Sequence, residues 1–327
     1  MSDDSALKRW VGFDLGGTKM MAAAFSGEFR VMGRKRRKTK GSEGVKAGLE
    51  RIVESIRDAL EEAQIKPSQL SGIGVGCPGN IDLEKGTLID SANLGWKNFP
   101  IREALEKVFG CRVVVLNDVD AGVYGEFRFG AAKNARCVVG VFPGTGIGGA
   151  CVYEGKILRG KNMSCFEIGH MQVNPQGIPC GCGRIGCLET EASRLAISAA
   201  AAMAAFRGEA PHLLAAAGTD LANIRSGVLA DAIRAGDTVI ERIVEQAARL
   251  IGWAVGDVVN LLAPDVVVLG GGLVEAMPDI MVENVEQAAR QRVAPPFAKT
   301  FKVTAAKLGD DAVVRGAAAW AEATSEK

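Results

Sequence analysis

The sequence predicts a two-domain α/β protein, on three observations. The chain has 327 residues, more than one compact core usually holds. A strand–turn–strand pattern occurs twice and aligns with itself without a gap. Over the remaining chain, apolar strands alternate with amphipathic helices, which implies helices layered on largely parallel sheets.

The two copies of the repeat are VGFDLGGTKMMAAAFSGEF from Val11 and VGVFPGTGIGGACVYEGKI from Val139. In each, an apolar strand enters a Gly-Thr-rich turn, and a second apolar strand leaves it for a hairpin turn, at Ser26-Gly27 or Glu154-Gly155. The shared offset sets Gly16 against Gly144, Phe25 against Tyr153 and Gly27 against Gly155. Matching glycines alone carry little weight; matching strand, turn, strand and hairpin together imply two copies of one β-rich unit, one per domain.

The elements between and beyond the copies follow from period and punctuation. Val45, Leu49, Ile52, Val53, Ile56 and Leu60 recur at helical spacing. GIGVG reads as a short strand running into Cys77-Pro78-Gly79, and Pro100 opens the helix IREALEKVF. Val113 to Leu116 is a buried strand that stops at Asn117-Asp118. Helical patterns follow Glu189 and span Ile240 to Leu262; the second leads to the strand DVVVL, a Gly270-Gly271-Gly272 turn and another helix. The basic run Arg34 to Lys40 reads as a solvated strand end.

Composition narrows the function classes. Apolar residues make up 48% and charged residues 24%, an ordinary globular balance. A net charge of +1 argues against a coat for nucleic acid or an anionic membrane. The polar, acidic start MSDDSALKRW does not read as a secretory signal, and the longest apolar run, Leu195 to Phe206, is too short to span a bilayer. The expectation is a soluble, cytoplasmic protein. Of eight cysteines, Cys77, Cys111, Cys137, Cys151 and Cys165 are scattered and read as small buried residues. Cys180, Cys182 and Cys187 crowd together, which in a reducing compartment means metal before disulfide.

Two turns carry phosphate chemistry. Backbone N–H groups of a Gly-rich turn can cradle phosphate oxygens. Asp14-Leu15-Gly16-Gly17-Thr18-Lys19 offers such a turn, with Asp14 for magnesium and Thr18 and Lys19 for phosphate oxygens; Gly144-Thr145-Gly146 offers a second. Neither has the P-loop spacing or the dinucleotide G-x-G-x-x-G at a strand-to-helix junction. Gly270 and Gly271 are either a tight strand-to-helix turn or a bed for an adenine ring.

Asp118 stands at the carboxyl end of a buried strand, where ligands of open α/β sheets gather. It serves either as a base accepting a proton from an attacking hydroxyl or as a helix N-cap. Asp120 competes for the same role, and helix geometry aims it elsewhere. His170, Cys180, Cys182 and Cys187 have the spacing H-x9-C-x-C-x4-C, and one imidazole with three thiolates is a closed tetrahedral zinc set. Four protein donors leave no open position, so this metal is structural and fixes the loop that carries Glu167 and Glu189. Carboxylates there suit sugar hydroxyls. His212, beside Pro211, is given no role.

In combination, FDLGGTK, PGNID, SANLGW, LND, FPGTGIGG, EIGH, CGCGRIGCLE and VVVLGGGL resemble the ROK family of bacterial sugar kinases and repressors, in order from about Val11 to Trp320. The resemblance implies a two-domain actin-like sugar kinase fold, a duplicated ribonuclease H-like architecture with ATP and sugar in the interdomain cleft. The expected domains are a smaller N-terminal one over 1–120, with a C-terminal helix at about 308–323 packing back on it, and a larger one over 121–307 carrying the zinc loop. Asp118 becomes the general base toward a sugar 6-hydroxyl. Gly79, Asn93, Asn117, Asp118, Glu167, His170 and Glu189 match sugar-contacting positions, so His170 holds zinc on one ring nitrogen and sugar on the other. Asp14, Gly16, Gly17, Thr18, Lys19, Gly144, Thr145, Gly146, Gly270 and Gly271 serve the magnesium nucleotide.

The chain departs from the family pattern at Asp120, often Asn, at Leu116, commonly acidic, and at Cys165-Phe166, usually small. Family repressors carry an N-terminal DNA-binding domain, and only ten residues precede the first strand here. The expected activity is ATP-dependent phosphorylation of glucose with Mg2+. Fructose, mannose, N-acetylglucosamine or N-acetylmannosamine are alternative acceptors, and a non-catalytic sugar-sensing regulator is the alternative outside catalysis. A homodimer or homotetramer is expected, with no nucleic-acid or membrane partner.

Overall fold

A computed structural model of the chain describes residues 8–91, 93–161 and 163–325; the polar start at 1–7 lies outside the described residues. Contacts divide the chain into two units. The first comprises 1–134, 155–166 and 310–327, and the second 135–154 and 167–309.

The first unit is built on a five-stranded sheet. Its strands are β1 (Arg9–Leu15), β2 (Lys19–Ser26), β3 (Val31–Lys38), β4 (Gly72–Cys77) and, after the short strands β5 (Asn80–Asp82), β6 (Thr87–Ser91) and β7 (Trp96–Phe99), β8 (Val113–Asn117). The order is β3-β2-β1-β4-β8, antiparallel across β3, β2 and β1 and parallel across β1, β4 and β8. Strands β5 to β7 form a separate small sheet. The helices α1 (Gly44–Glu62), α2 (Ile101–Phe109) and α3 (Asp118–Phe129) follow in chain order. The apolar stripe read from the sequence is the buried face of α1, where Ile52, Val53, Ile56 and Leu60 join Phe13, Leu15 and Ile73 in one core.

The second unit repeats the scheme. Strands β9 (Cys137–Pro143), β10 (Ile147–Tyr153), β11 (Lys156–Ile157), β12 (Val266–Leu269) and β13 (Lys302–Ala305) form a five-stranded sheet of order β11-β10-β9-β12-β13, of which all but the two-residue edge strand β11 fall in this unit. β9 is antiparallel to β10 and parallel to β12, which is parallel to β13. The helices are α4 (Leu188–Ala192), α5 (Arg194–Phe206), α6 (Pro211–Ala217), α7 (Ser226–Ala235), α8 (Thr238–Leu262), α9 (Gly272–Ala276) and α10 (Pro278–Arg292), with α11 (Asp311–Ala323) closing the chain in the first unit. Both sheets are therefore mixed rather than largely parallel. The repeat itself explains why: its two hairpin-linked strands must run antiparallel, and only the strands reached through helices run parallel.

The observed division places all of α3 in the first unit, whereas the expected limit of 120 falls inside that helix. Packing gives the reason. α11 lies on α3, β1 and β4, and glycines let the backbones meet. A Cβ on Gly12 would stand 1.8 Å from the Val314 carbonyl oxygen, and one on Gly74 1.9 Å from that of Ala317. The basic end of β3 is a largely exposed strand end, as the sequence implies, and its arginines are ion-paired: Arg34 with Asp311 at 2.8 Å, Arg37 with Asp58 at 2.6 Å, and Arg36 with Asp310.

Candidate functional site

In the first unit, β8 ends where α3 begins. The Asn117 side-chain oxygen accepts the Val119 amide at 2.8 Å and the Asp120 amide at 3.3 Å, so Asn117, not Asp118, caps the helix. Asp118 occupies the first helical position, with Oδ1 taking the Val119 amide at 3.0 Å. It keeps some solvent access but is ringed by protein, and burial raises its carboxyl above the ordinary range, opposed by backbone N–H groups. Asp120 is fully buried, and its Oδ2 accepts the Ser164 hydroxyl at 2.7 Å.

Asp14, the last but one residue of β1, lies nearby. Its carboxyl is pushed up to about 7, first by burial, then by the charges of Asp118 and Asp310, with Arg36 pulling the other way. A carboxyl raised by burial and by the charge of a neighbouring carboxylate suits a divalent cation. The adjoining turn leaves Gly17, Thr18 and Lys19 exposed. It is pinned from behind by the fully buried Thr39, whose hydroxyl donates to the Gly16 carbonyl at 2.6 Å and whose amide donates to that of Thr18 at 2.9 Å.

Asn93 lies against this turn, with its Cβ 3.2 Å from where a Gly17 Cβ would stand. Gly79 has φ +96° and backs onto Asp90 and Ser91, just before Asn93. Asp14, Gly16 to Lys19, Gly79, Asn93, Asn117 and Asp118 thus cluster at one end of the first sheet.

In the second unit, Gly144, Thr145 and Gly146 link β9 to β10, and the Gly144 amide donates to the Gly146 carbonyl at 2.8 Å. Gly270 and Gly271 lie alongside: a Cβ on Gly270 would meet the Phe142 ring at 2.8 Å, and one on Gly271, φ +85°, the Pro143 carbonyl at 3.2 Å. The structure therefore brings these five glycine-turn residues together.

The cysteine loop packs against β10, the strand that leaves the Gly144–Gly146 turn. His170 ends a short 3-10 turn from Ile168, and Glu167 before it is exposed. The donor atoms of His170, Cys180, Cys182 and Cys187 lie within 4.8 Å of one another. His170 Nδ1 is 3.6 Å from Cys180 Sγ, and Cys182 Sγ is 3.6 Å from Cys187 Sγ. A tetrahedral zinc with bonds of about 2.3 Å separates two sulfurs by about 3.8 Å, so the set fits zinc with modest closure. Nδ1 faces the cysteines, which leaves Nε2 for another partner. Arg184 pulls the Cys182 thiol down to about 6, while burial and the adjacent thiols push Cys187 up to about 12. Zinc binding displaces such protons.

Residues 10–324 match the ROK family. The chain belongs to it. A glucokinase of Halalkalibacterium halodurans is 33% identical over 315 residues, covering 94% of this chain and 93% of that one. The DNA-binding transcriptional repressor Mlc of Escherichia coli is 30% identical over 271 residues, 83% of this chain and 65% of the repressor. Among solved structures, a ROK family glucokinase from Streptomyces griseus in complex with glucose and AMPPNP has a TM-score of 0.83 at 29% identity, covering 96% of this chain and 99% of that one. A ROK hexokinase from Thermus thermophilus has a TM-score of 0.80 at 33% identity, covering 95% and 96%. The two mixed five-stranded sheets are the actin-like fold of these ROK proteins.

Two features of this ROK chain were invisible in the sequence. Thr39 lay hidden in a run read only for its charge. Arg194, at the start of α5, donates its amide to the Gly144 carbonyl at 2.9 Å and its guanidinium to Thr145 Oγ1 at 2.9 Å. No helix among the described residues is long and apolar enough to cross a membrane.

Proposed function

We propose that this ROK protein is a sugar kinase that transfers the terminal phosphoryl group of ATP to the 6-hydroxyl of a hexose, with glucose as the first acceptor. The observation that carries the reading is the release of Asp118 from capping by Asn117, beside a second carboxylate, Asp14. The sugar oxygen attacks the γ-phosphorus, the bond from that phosphorus to the β-bridging oxygen breaks, ADP leaves, and the hydroxyl proton passes to Asp118. The raised proton affinity of Asp118 suits a group that must take this proton late.

Gly79, Asn93, Asn117, Glu167, His170 Nε2 and Glu189 would orient the sugar. Asp14 would hold magnesium, which when bound neutralises charge on the phosphates. Gly16, Gly17, Thr18, Lys19, Gly144, Thr145 and Gly146 would take the phosphates, and Gly270 and Gly271 the base. Zinc on His170, Cys180, Cys182 and Cys187 would supply rigidity and no open coordination position. The likeness to a glucokinase solved with glucose and AMPPNP supports this assignment. The active form proposed is a cytoplasmic homodimer or homotetramer.

The likeness to Mlc favours a second reading, a regulator that binds sugar without phosphorylating it. Carbon and phosphorus NMR of a mixture with ATP, Mg2+ and labelled glucose separates the two. Formation of glucose 6-phosphate supports the kinase; sugar binding without any phosphorylated product overturns it.

A further inference from the structure

Ile147, the first residue of β10, is gripped from both ends of the cysteine loop. On one side its amide donates to Glu189 Oε2 at 2.9 Å, and Glu189 is two residues beyond Cys187 on the short helix that Cys187 opens. On the other side its carbonyl oxygen lies so close to Gly169, the neighbour of His170, that a Cβ there would be 2.0 Å away. The same carboxylate leaves no room beside the glycine turn, since a Cβ on Gly146 would stand 2.1 Å from Glu189 Oε2. Past α4, Arg194 ties both Gly144 and Thr145. A cavity of about 320 Å³ is bounded by Thr145, Ile178, Gly181, Glu189 and Ser193, so loop and turn are two walls of one space.

We propose that the metal loop is a clamp on the Gly144–Gly146 turn, with Glu189 and Arg194 as its positioning residues, so that metal occupancy sets the affinity for the phosphate donor as well as for the sugar. This rests on the kinase reading, in which that turn takes nucleotide phosphates. The physical argument is one of order. Cys187 and His170 are the ends of the donor set, and each is within two residues of a group touching Ile147. Fixing both ends fixes the grip, and releasing them lets Glu189 and the turn sample other arrangements, which lowers affinity by the fraction of time the turn is misplaced. Sequence alone links the metal loop to the sugar through Glu167 and Glu189; the contacts of Glu189 and Arg194 extend that link to the Gly144–Gly146 turn.

The test measures binding, not turnover. Metal stoichiometry is fixed by mass spectrometry, and the Kd of Mg·AMPPNP is measured by calorimetry on metal-loaded and chelator-stripped protein, with near-ultraviolet circular dichroism reporting the fold. Stripping wild type is expected to raise the AMPPNP Kd by about tenfold or more, ~1.4 kcal/mol. In Glu189→Ala, where the link is cut, loaded and stripped forms are expected to agree within about twofold. Loaded Arg194→Ala is expected to keep its metal and its glucose affinity while its AMPPNP Kd rises by about fivefold.

A folded, stripped wild type with unchanged AMPPNP Kd overturns the clamp, and so does a Glu189→Ala protein that retains the full loaded-to-stripped ratio. If stripping unfolds the protein, the Arg194→Ala arm decides: an unchanged AMPPNP Kd overturns the clamp. Loaded wild type that binds no AMPPNP at all overturns the kinase reading and the clamp with it, a result distinct from intact binding without coupling.

Discussion

The Ile147 amide donates to Glu189 Oε2 at 2.9 Å, so a carboxylate from the cysteine loop sits on the backbone where the second glycine turn becomes strand β10. Gly146 is glycine for a local reason, because the space its Cβ would fill already holds that carboxylate. Gly146→Ala is expected to displace Glu189 and cost about 1–3 kcal/mol of stability by overpacking. Activity should fall with it. Thermal unfolding and the KM for ATP check this, and an alanine variant equal to wild type in both would mean the contact has no weight.

Asp118→Asn keeps the shape and the capping by Asn117 but removes the proton acceptor. Turnover is expected to fall by roughly 10²–10⁴-fold, the usual contribution of a general base, with sugar affinity nearly unchanged. Calorimetry with glucose and steady-state rates separate the two quantities. Substantial remaining turnover would assign the base elsewhere.

Asp14 makes the ligand-free protein pH-sensitive. Its carboxyl titrates near 7 in the folded chain and at the ordinary 3.8 when unfolded, so between these values the folded state holds a proton that the unfolded state has lost. Stability therefore falls as pH rises from about 4 to 7, by at most ~1.4 kcal/mol per pH unit from this group. Asp14→Asn should flatten that slope and gain stability relative to wild type at pH 8 more than at pH 5. Denaturant titrations at both pH values test it; an equal difference at the two would reject the assignment.

Phe166 has φ +70°, a left-handed conformation that a bulky side chain rarely adopts. The residues before it are tied down, Ser164 by Asp120 and Cys165 to the Leu158 carbonyl at 3.3 Å. Phe166→Gly should release strain of order 1–3 kcal/mol and so lose little net stability, although half-buried aromatic surface is removed. Because Phe166 directly precedes Glu167, one of the carboxylates proposed to hold the sugar, its loss should shift acceptor preference toward the bulkier N-acetylhexosamines relative to glucose. Unfolding midpoints and relative kcat/KM over a sugar panel provide the check, and a large destabilisation with unchanged preference would count against it.

Much of the fold was legible because the repeat is local. A glycine turn between two apolar strands, written twice, marks itself in the sequence, as do the helical stripe of α1 and the spacing of His170 and the three cysteines. What stayed illegible depends on side chains meeting across the fold. Asn117 and Asp118 are equivalent as cap candidates until the helix axis chooses one. Thr39 looks like a break in a basic run until it is seen bonded to Gly16. The reach of Glu189 to Ile147 spans 42 residues of sequence and has no local signature. The extent of the first unit was obscured for the same reason, since α3 belongs there through its packing on α11.

The central claim is phosphoryl transfer to a sugar, and a coupled ADP-release assay across glucose, mannose, fructose, N-acetylglucosamine and N-acetylmannosamine tests it most directly. ADP formation is expected with glucose, dependent on both sugar and Mg2+, and is expected to vanish in Asp118→Asn. No sugar-dependent ADP release from metal-loaded wild-type protein with any of the five would contradict the account.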